Sequence, residues 1–335
     1  MPIFSRELGI DLGTMNMVVA EGNRILLQEP TVVAIVVDEQ KMVEWGQAAK
    51  DMYGRVAESI EVVRPVQNGV IAEYEITENL LAFVVKKISG PMMIFRPRIM
   101  MTVPYGITSV ETRAVHEAGL GAGSREVFLV QQPLAAALGV DLPIDVPSGN
   151  MIISLGGGTN QAAVLSMNRI VTAETSRTGG LRMDEAIINY ARKKFGIIIG
   201  QPTAEQLKIR IGAAVPQEEQ QVMEVQGQDQ VTGLPRPINL TTNDIVDALQ
   251  EPLTEVVNTT RHVLEKTPPE LISDIIDRGV ALCGGGALLR GVDKFLTRAL
   301  GIPAYLVDNP TTCTAQGAVR ALAQREALKR SLIPV

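Results

Sequence analysis

One pattern occurs twice in this chain, nearly half its length apart. Met151-Ile152-Ile153-Ser154-Leu155-Gly156-Gly157-Gly158-Thr159-Asn160-Gln161 is an apolar run followed by three glycines and a threonine, and Ala162-Ala163-Val164-Leu165 continues it as a second apolar run. Gly9-Ile10-Asp11-Leu12-Gly13-Thr14-Met15-Asn16 leads into Met17-Val18-Val19-Ala20 in the same way. Each copy reads as strand, Leu-Gly, a threonine in the turn, Asn, strand. Apolar runs bounded by glycine are buried strands joined by a tight turn. Glycine tolerates positive φ and leaves backbone N–H groups bare, and bare N–H groups that converge on one space form an anion nest. A single glycine-rich hairpin is no more than a turn. Two copies point to a duplicated domain whose facing turns grip one polyphosphate from both sides.

The chain has 335 residues, enough for two domains and a sizeable core. Its aromatic content of 4% disfavours base stacking, and its net charge of −6 argues against a nucleic-acid partner. Cys283 and Cys313 have neither zinc spacing nor a disulfide framework and read as reduced thiols of a cytoplasmic protein. The first eight residues lack the apolar core of a signal peptide, and no apolar run reaches the roughly 18 residues that span a bilayer.

Between the hairpins, helices are expected over about residues 47–53, 77–88 and 108–119, and strands over 24–30, 31–37, 99–104 and 126–130. The loop 89–98 is bracketed by Gly-Pro and Arg-Pro, yet its tip is Met92-Met93-Ile94-Phe95, flanked by Lys86, Lys87, Arg96 and Arg98. Such a tip either folds inward or touches a membrane, with the cations meeting anionic headgroups. Residues 141–149 read as the linker between halves. The second half continues with a strand over 170–176 and a helix over about 183–195. Thr203-Ala204-Glu205-Gln206 has the form of a capping box. A long helix is expected over about 242–266, stopped by Pro268-Pro269. A strand at 280–283 runs into a third glycine turn, Gly284-Gly285-Gly286-Ala287-Leu288-Leu289-Arg290-Gly291, which precedes a helix and suits close approach of a nucleotide. A strand over 302–307 and a closing helix over 314–329 complete an α/β protein of two similar halves. His116 and His262 have no ligating neighbours in sequence and read as solvated or packed.

The three glycine turns together resemble the actin-like ATPase superfamily: Asp11-Leu12-Gly13-Thr14 its first phosphate loop, Leu155 to Thr159 its second, and Gly284 to Gly291 its adenosine motif. Within it the chain resembles the MreB family of bacterial actins, through Arg64-Pro65, Asn68-Gly69-Val70-Ile71-Ala72, Val103-Pro104-Tyr105-Gly106, Met183-Asp184-Glu185-Ala186, Val231-Thr232-Gly233-Leu234-Pro235 and Lys266-Thr267-Pro268-Pro269. The resemblance runs from about residue 8 to 322. It implies an actin-like fold of two similar domains, each with a small subdomain, and nucleotide in the cleft between them. The corresponding boundaries are 1–142, with an insertion at about 32–75 and a C-terminal helix (about 314–335) packed back on it, and 143–313, with an insertion at about 181–242. It implies ATP or ADP with Mg²⁺. Asp11, Gly13, Thr14, Met15 and Asn16 would lie on one side of the phosphates and Gly156, Gly157, Gly158 and Thr159 on the other. Glu205, Gln206, Leu207 and Lys208 would face ribose and adenine, Gly285, Gly286, Ala287 and Leu288 would line the base, and Asp11 would reach the Mg²⁺ through water. It also implies a cell-shape protein in paired protofilaments on the inner face of the cell membrane. Met92, Met93, Ile94 and Phe95 would contact lipid, with a minor part for the apolar N-terminal residues Ile3, Phe4 and Leu8. Rod-complex membrane proteins or a paralogue of the same family are the implied partners.

Three acids of the family pattern are absent. Ser154 stands where the second loop begins with Asp, Gln161 where it continues with Glu, and Gln132 where Glu-Glu-Pro orients the attacking water. An amide takes up no proton and a serine hydroxyl is a poor base, so Gln132 and Ser154 mark catalytic positions at which weak or absent hydrolysis is expected. Actin itself carries Gln at the position of Gln132 and still hydrolyses ATP. A chaperone ATPase domain or a sugar kinase of the same superfamily is the alternative. The first needs a further substrate domain, the second a catalytic Asp in the cleft, and neither explains the Met-Met-Ile-Phe tip.

Overall fold

A computed structural model describes residues 6–90 and 96–334. The expected membrane tip, Met92 to Phe95, and the N-terminal Ile3 and Phe4 lie outside the described residues.

The first half is built on strands β1 (Glu7–Leu12), β2 (Asn16–Glu21) and β3 (Arg24–Pro30), then a small three-stranded sheet of β4 (Val33–Val36), β5 (Lys41–Trp45) and β6 (Ile60–Val63), with helix α1 (Gly46–Asp51) between the last two. A two-residue ladder, β7 (Val66–Gln67) with β8 (Val70–Ile71), leads to α2 (Tyr74–Ser89), β9 (Arg98–Val103), α3 (Ser109–Gly121), β10 (Glu126–Gln131) and α4 (Gln132–Gly139). The helix α3 starts on a capping box in which Thr108 and Glu111 satisfy each other's backbone N–H groups. In α2 the buried residues Ile76, Leu80, Leu81, Val84 and Val85 recur at the helical period and cover the main sheet.

The second half repeats the plan with β11 (Asn150–Leu155), β12 (Asn160–Ser166) and β13 (Arg169–Ser176), then α5 (Gly180–Phe195), β14 (Ile197–Ile198), α6 (Gln201–Ile211), β15 (Val222–Asp229), β16 (Pro235–Thr241), α7 (Thr242–Ala248) and α8 (Gln250–Glu265). It closes with α9 (Pro269–Arg278), β17 (Val280–Cys283), a 3₁₀ turn at Gly285–Leu288, α10 (Val292–Leu300), β18 (Ala304–Leu306), α11 (Cys313–Ala323) and α12 (Arg325–Leu328).

The repetition is topological. The first main sheet has the order β10-β9-β1-β2-β3 and the second β18-β17-β11-β12-β13. In both, the leading strand pairs antiparallel with its hairpin partner and parallel with the strand on its other side. Between the two sheets lie α4 and α11, whose alanines share one core with Met100, Ile152 and Ala163. These two helices touch through glycine: a Cβ on Gly317 would sit 1.6 Å from the Ala135 carbonyl oxygen, and one on Gly139 1.9 Å from that of Cys313. Gly9 makes the same kind of approach to α11, where a Cβ would sit 2.4 Å from the Ala315 oxygen. Helix α11, near the end of the second half, thus packs against the first strand of the chain.

Local expectations fail at four places. Thr203 caps nothing: α6 begins at Gln201 behind Gly200, and Pro202 takes the first turn, where a missing N–H is harmless. The expected helix over 242–266 is two helices meeting at Leu249, with Pro252 in the first turn of the second. Pro269, read only as a stop, also opens α9. The closing helix breaks at Gln324 into α11 and α12.

Candidate functional site

The two hairpins end in turns of the same construction. Leu12 pairs with Met17 and Leu155 with Asn160, which leaves four residues in each turn. Gly13 N–H donates to Asn16 O at 3.1 Å, and Gly156 N–H donates to Thr159 O at 2.9 Å. The turns face each other closely enough to demand glycine: a Cβ on Gly157 would lie 2.1 Å from Met15 Cγ, and one on Gly158 2.4 Å from Thr14 Oγ1. Thr14 Oγ1 is itself fixed by the Gly69 N–H at 2.9 Å.

Between the halves lies a cleft of about 390 Å³. Asp11, Gly13, Thr14, Met15, Asn16, Gly156, Gly157, Gly158 and Thr159 line it, as do Gln132 and Ser154. Farther out, Glu205, Lys208 and Ile209 from one face of α6, with Gly212 just past its end, meet Gly285, Gly286 and Leu288. Helical spacing explains what stays outside: Leu207 is fully buried in the core, Gln206 faces solvent, and Ala287 is buried behind the turn. Gly69, Gly180, Pro310, Thr311 and Thr314 also line the cleft beyond the residues expected from the sequence, as does Arg290 of the third glycine turn. The pair Gly179-Gly180 carried a signal in its double glycine, whereas 310–314 is brought in only by the chain crossing between sheets.

At the inner end, desolvation of the partly buried Asp11 pushes its pKa up against the opposing hydrogen bonds from Thr102 and Gln132. Thr102 Oγ1 donates to Asp11 Oδ1 at 2.5 Å and Gln132 Nε2 at 3.1 Å. Gln161 donates through Nε2 to Gln132 Oε1 and accepts the Tyr105 N–H at 2.8 Å. Gln161 itself is buried beneath the cleft surface. Ser154 stands opposite Gln161 on the neighbouring strand and beside Cys283 on the next. Cys283 and Cys313 are both free and buried.

Charges cluster at the mouth. Lys50 Nζ lies 2.8 Å from Glu205, and Lys208 Nζ lies 2.7 Å from Asp184 Oδ1 while donating to Gly180 O at 2.8 Å. Burial raises Asp184 to about 6, against the pull of Lys208. Arg64, close enough to feel Glu205 and Asp184, has its guanidinium shifted down by burial, and its Nη1 has no hydrogen-bond partner among the described residues.

The MreB/Mbl protein family model matches residues 5–330. The chain belongs to the MreB/Mbl family. The cell shape-determining protein MreB of Escherichia coli (strain K12) is 45% identical over 326 residues, which is 96% of this chain and 94% of that protein. The structure of MreB5 of Spiroplasma citri bound to ADP has a TM-score of 0.92 at 30% identity and covers 98% of this chain and 99% of that one. The same protein bound to AMPPNP gives 0.91. MamK, solved as a double helical filament, shares the fold at 20% identity, with a TM-score of 0.80 over 96% of this chain and 99% of its own. The actin-like α/β fold expected from the three glycine turns is therefore the fold of this family member. No helix among the described residues is long and apolar enough to cross a membrane.

Proposed function

We propose that this family member is an actin-like, cell-shape filament subunit that binds ATP or ADP in the cleft and hydrolyses ATP slowly. The observation that carries the reading is the pair of matched four-residue turns facing each other, with glycine required at Gly157 and Gly158. The nucleotide complexes of the Spiroplasma relative support the ligand class. In this reading the amides of Gly13 to Asn16 and of Gly156 to Thr159 hold opposite sides of the phosphates, and Glu205, Lys208, Gly285, Gly286 and Leu288 surround ribose and base. Leu207 and Ala287 support that wall from behind, and Gln206 lies on the solvent side of α6. The domain limits are 1–142 and 143–313, with the small sheets of each half inside the insertions at about 32–75 and 181–242.

The donor set fits Mg²⁺ held by phosphate oxygens and water, with Asp11 reaching it through water. No group of three His, Cys, Asp or Glu among the described residues is placed to hold a metal on its own. When bound, the ion offsets charge on the phosphates. In hydrolysis the water oxygen bonds to the terminal phosphorus as the bridging P–O bond breaks, and the water must lose a proton. Ser154, Gln132 and Gln161 cannot accept it, so it passes to the departing phosphate. Absence of a placed acid-base group costs about 10²–10⁴ in rate.

Assembly follows the same reading: the subunit associates with further copies of itself as paired protofilaments at the inner face of the cell membrane. Met92 to Phe95 touch lipid, and rod-complex membrane proteins or a paralogue are the candidate partners. Electron microscopy of the purified chain on anionic liposomes, with and without ATP, tests it. Filaments flattened on lipid are expected with ATP. A monodisperse chain that ignores both lipid and nucleotide would overturn it.

A further inference from the structure

The Gln132 amide is held at both ends. Its Nε2 donates to Asp11 Oδ1 at 3.1 Å and its Oε1 accepts from Gln161 Nε2, while Gln161 Oε1 accepts the Tyr105 N–H at 2.8 Å. A backbone N–H only donates, and Asp11 Oδ1 accepts from both Thr102 Oγ1 and Gln132 Nε2. The direction of every bond between those ends is therefore fixed, from Tyr105 through Gln161 and Gln132 to Asp11. Turning either amide over would set N–H against N–H or oxygen against oxygen. Tyr105, Gln132 and Asp11 belong to the first half and Gln161 to β12 of the second, so the chain of bonds also ties the halves together beneath the phosphate turns. Gln161 is 1% exposed and does not line the cleft, whereas Gln132 does.

We propose that Gln161 is a positioning residue for nucleotide hydrolysis, its Nε2 fixing the orientation of the Gln132 amide so that the remaining lone pair and N–H of Gln132 align water against the terminal phosphate. The inference rests on the reading of the cleft as an ATP site. It also gives the departure at position 161 a physical sense. A carboxylate there would accept the Tyr105 N–H but offer no hydrogen to Gln132, whereas an amide does both, so Gln132 and Gln161 act as a matched pair. The step itself is the one already balanced: water bonds to phosphorus, the bridging oxygen leaves, and the proton goes to the departing phosphate.

Gln161→Glu tests this because protonation restores what it removes. The introduced side chain has no donor while it is ionised, but as the protonated acid it has a carbonyl for Tyr105 and an O–H for Gln132. A buried carboxyl titrates above its usual range. The residues opposite position 161 on the flanking strands, Ser154 and Thr175, carry no charge. Tyr105 and Asp11, the titratable groups nearest along the bonds, are present in both proteins and cancel in a ratio. Single-turnover phosphate release from bound ATP is measured for both proteins between pH 5.5 and about 8. The variant is expected to be about tenfold slower at the upper end, as for a slightly misplaced group, and to approach the native rate as pH falls, with ATP saturating the cleft in every measurement. A variant-to-native ratio that stays constant across this range would overturn the proposal. If native release is too slow to time, the Gln132 side-chain ¹H–¹⁵N resonances serve instead. They are expected to shift as position 161 titrates in the variant, and resonances that stay still would overturn it equally. Failure of the native chain to bind ATP at all would instead remove the reading of the cleft.

Discussion

Lys50 Nζ lies 2.8 Å from Glu205 Oε2, and this ion pair joins α1 of the first half to α6 of the second across the mouth of the cleft. It is the outer counterpart of the contact between Gln132 and Gln161 at the inner end. Two halves joined at both ends enclose a ligand more fully than either contact alone allows. Lys50→Ala removes the outer clasp without touching the phosphate turns. A partly buried ion pair is worth about 1 kcal/mol, so nucleotide Kd is expected to rise about fivefold, measured by fluorescence titration. The effect should shrink in high salt, because the pair is partly exposed.

Glycine at the facing turns is a steric requirement. Gly158→Ala places a methyl 2.4 Å from Thr14 Oγ1 and 3.0 Å from Asn68 Cα, so the turns must separate. Overpacking of this kind costs about 1–3 kcal/mol. Nucleotide Kd is expected to rise about 10- to 100-fold, with circular dichroism unchanged. Gly317→Ala is expected to do the reverse, because its methyl would meet the Ala135 backbone inside the α4–α11 contact rather than the cleft. There the loss appears as thermal stability, by about 3 kcal/mol, read from the unfolding midpoint.

Asp184 gives the cleft mouth a pH signature. Its folded pKa, raised by burial to about 6, lies above the usual aspartate value of 3.8. The protonated form is therefore the one the fold favours. Its contribution to stability is complete below pH about 4 and is lost as pH rises through about 6. Asp184→Asn lacks this titration. Relative to that variant, the native chain is expected to lose on the order of 2 kcal/mol between pH 4 and pH 7, measured by urea unfolding at each pH. Lys208→Met removes the cation 2.7 Å away and is expected to move the transition to higher pH.

The segment that follows α2 carries the membrane reading. Ile94→Ser together with Phe95→Ser is expected to release the chain from anionic liposomes in a sedimentation assay while leaving nucleotide affinity unchanged. Retained sedimentation with lipid would contradict the assignment of the tip. Lys87, whose ammonium lies 4.9 Å from the centroid of the Trp45 ring, sits on the last turn of the helix that precedes this segment.

The sequence made the duplicated core legible because its signals are local. Asp11 to Asn16 and Gly156 to Thr159 could be paired by eye, since strand, glycine turn and strand fall within a dozen residues. The third glycine turn was legible for the same reason. What escaped was set by tertiary contact. Thr203 had the residues of a helix cap, but Pro202 moved the helix start upstream of it. Leu207 lies within the segment expected to face the nucleotide, yet its phase on α6 turns it into the core, while Ile209 and, just past the helix end, Gly212 turn toward the cleft. The absent acids at Gln132, Ser154 and Gln161 were visible in sequence. That two of these form one directed chain of hydrogen bonds to Asp11 was not, because Gln132 and Gln161 come from different halves.

The central claim separates binding of ATP from its cleavage. Phosphate release at saturating ATP, compared between the native chain and the Ser154→Asp, Gln132→Glu double variant, tests it most directly. The account expects a slow native rate and a rise of about 10²-fold or more once proton acceptors are restored, with similar ATP affinity in both. A native rate already equal to that of the double variant would contradict it.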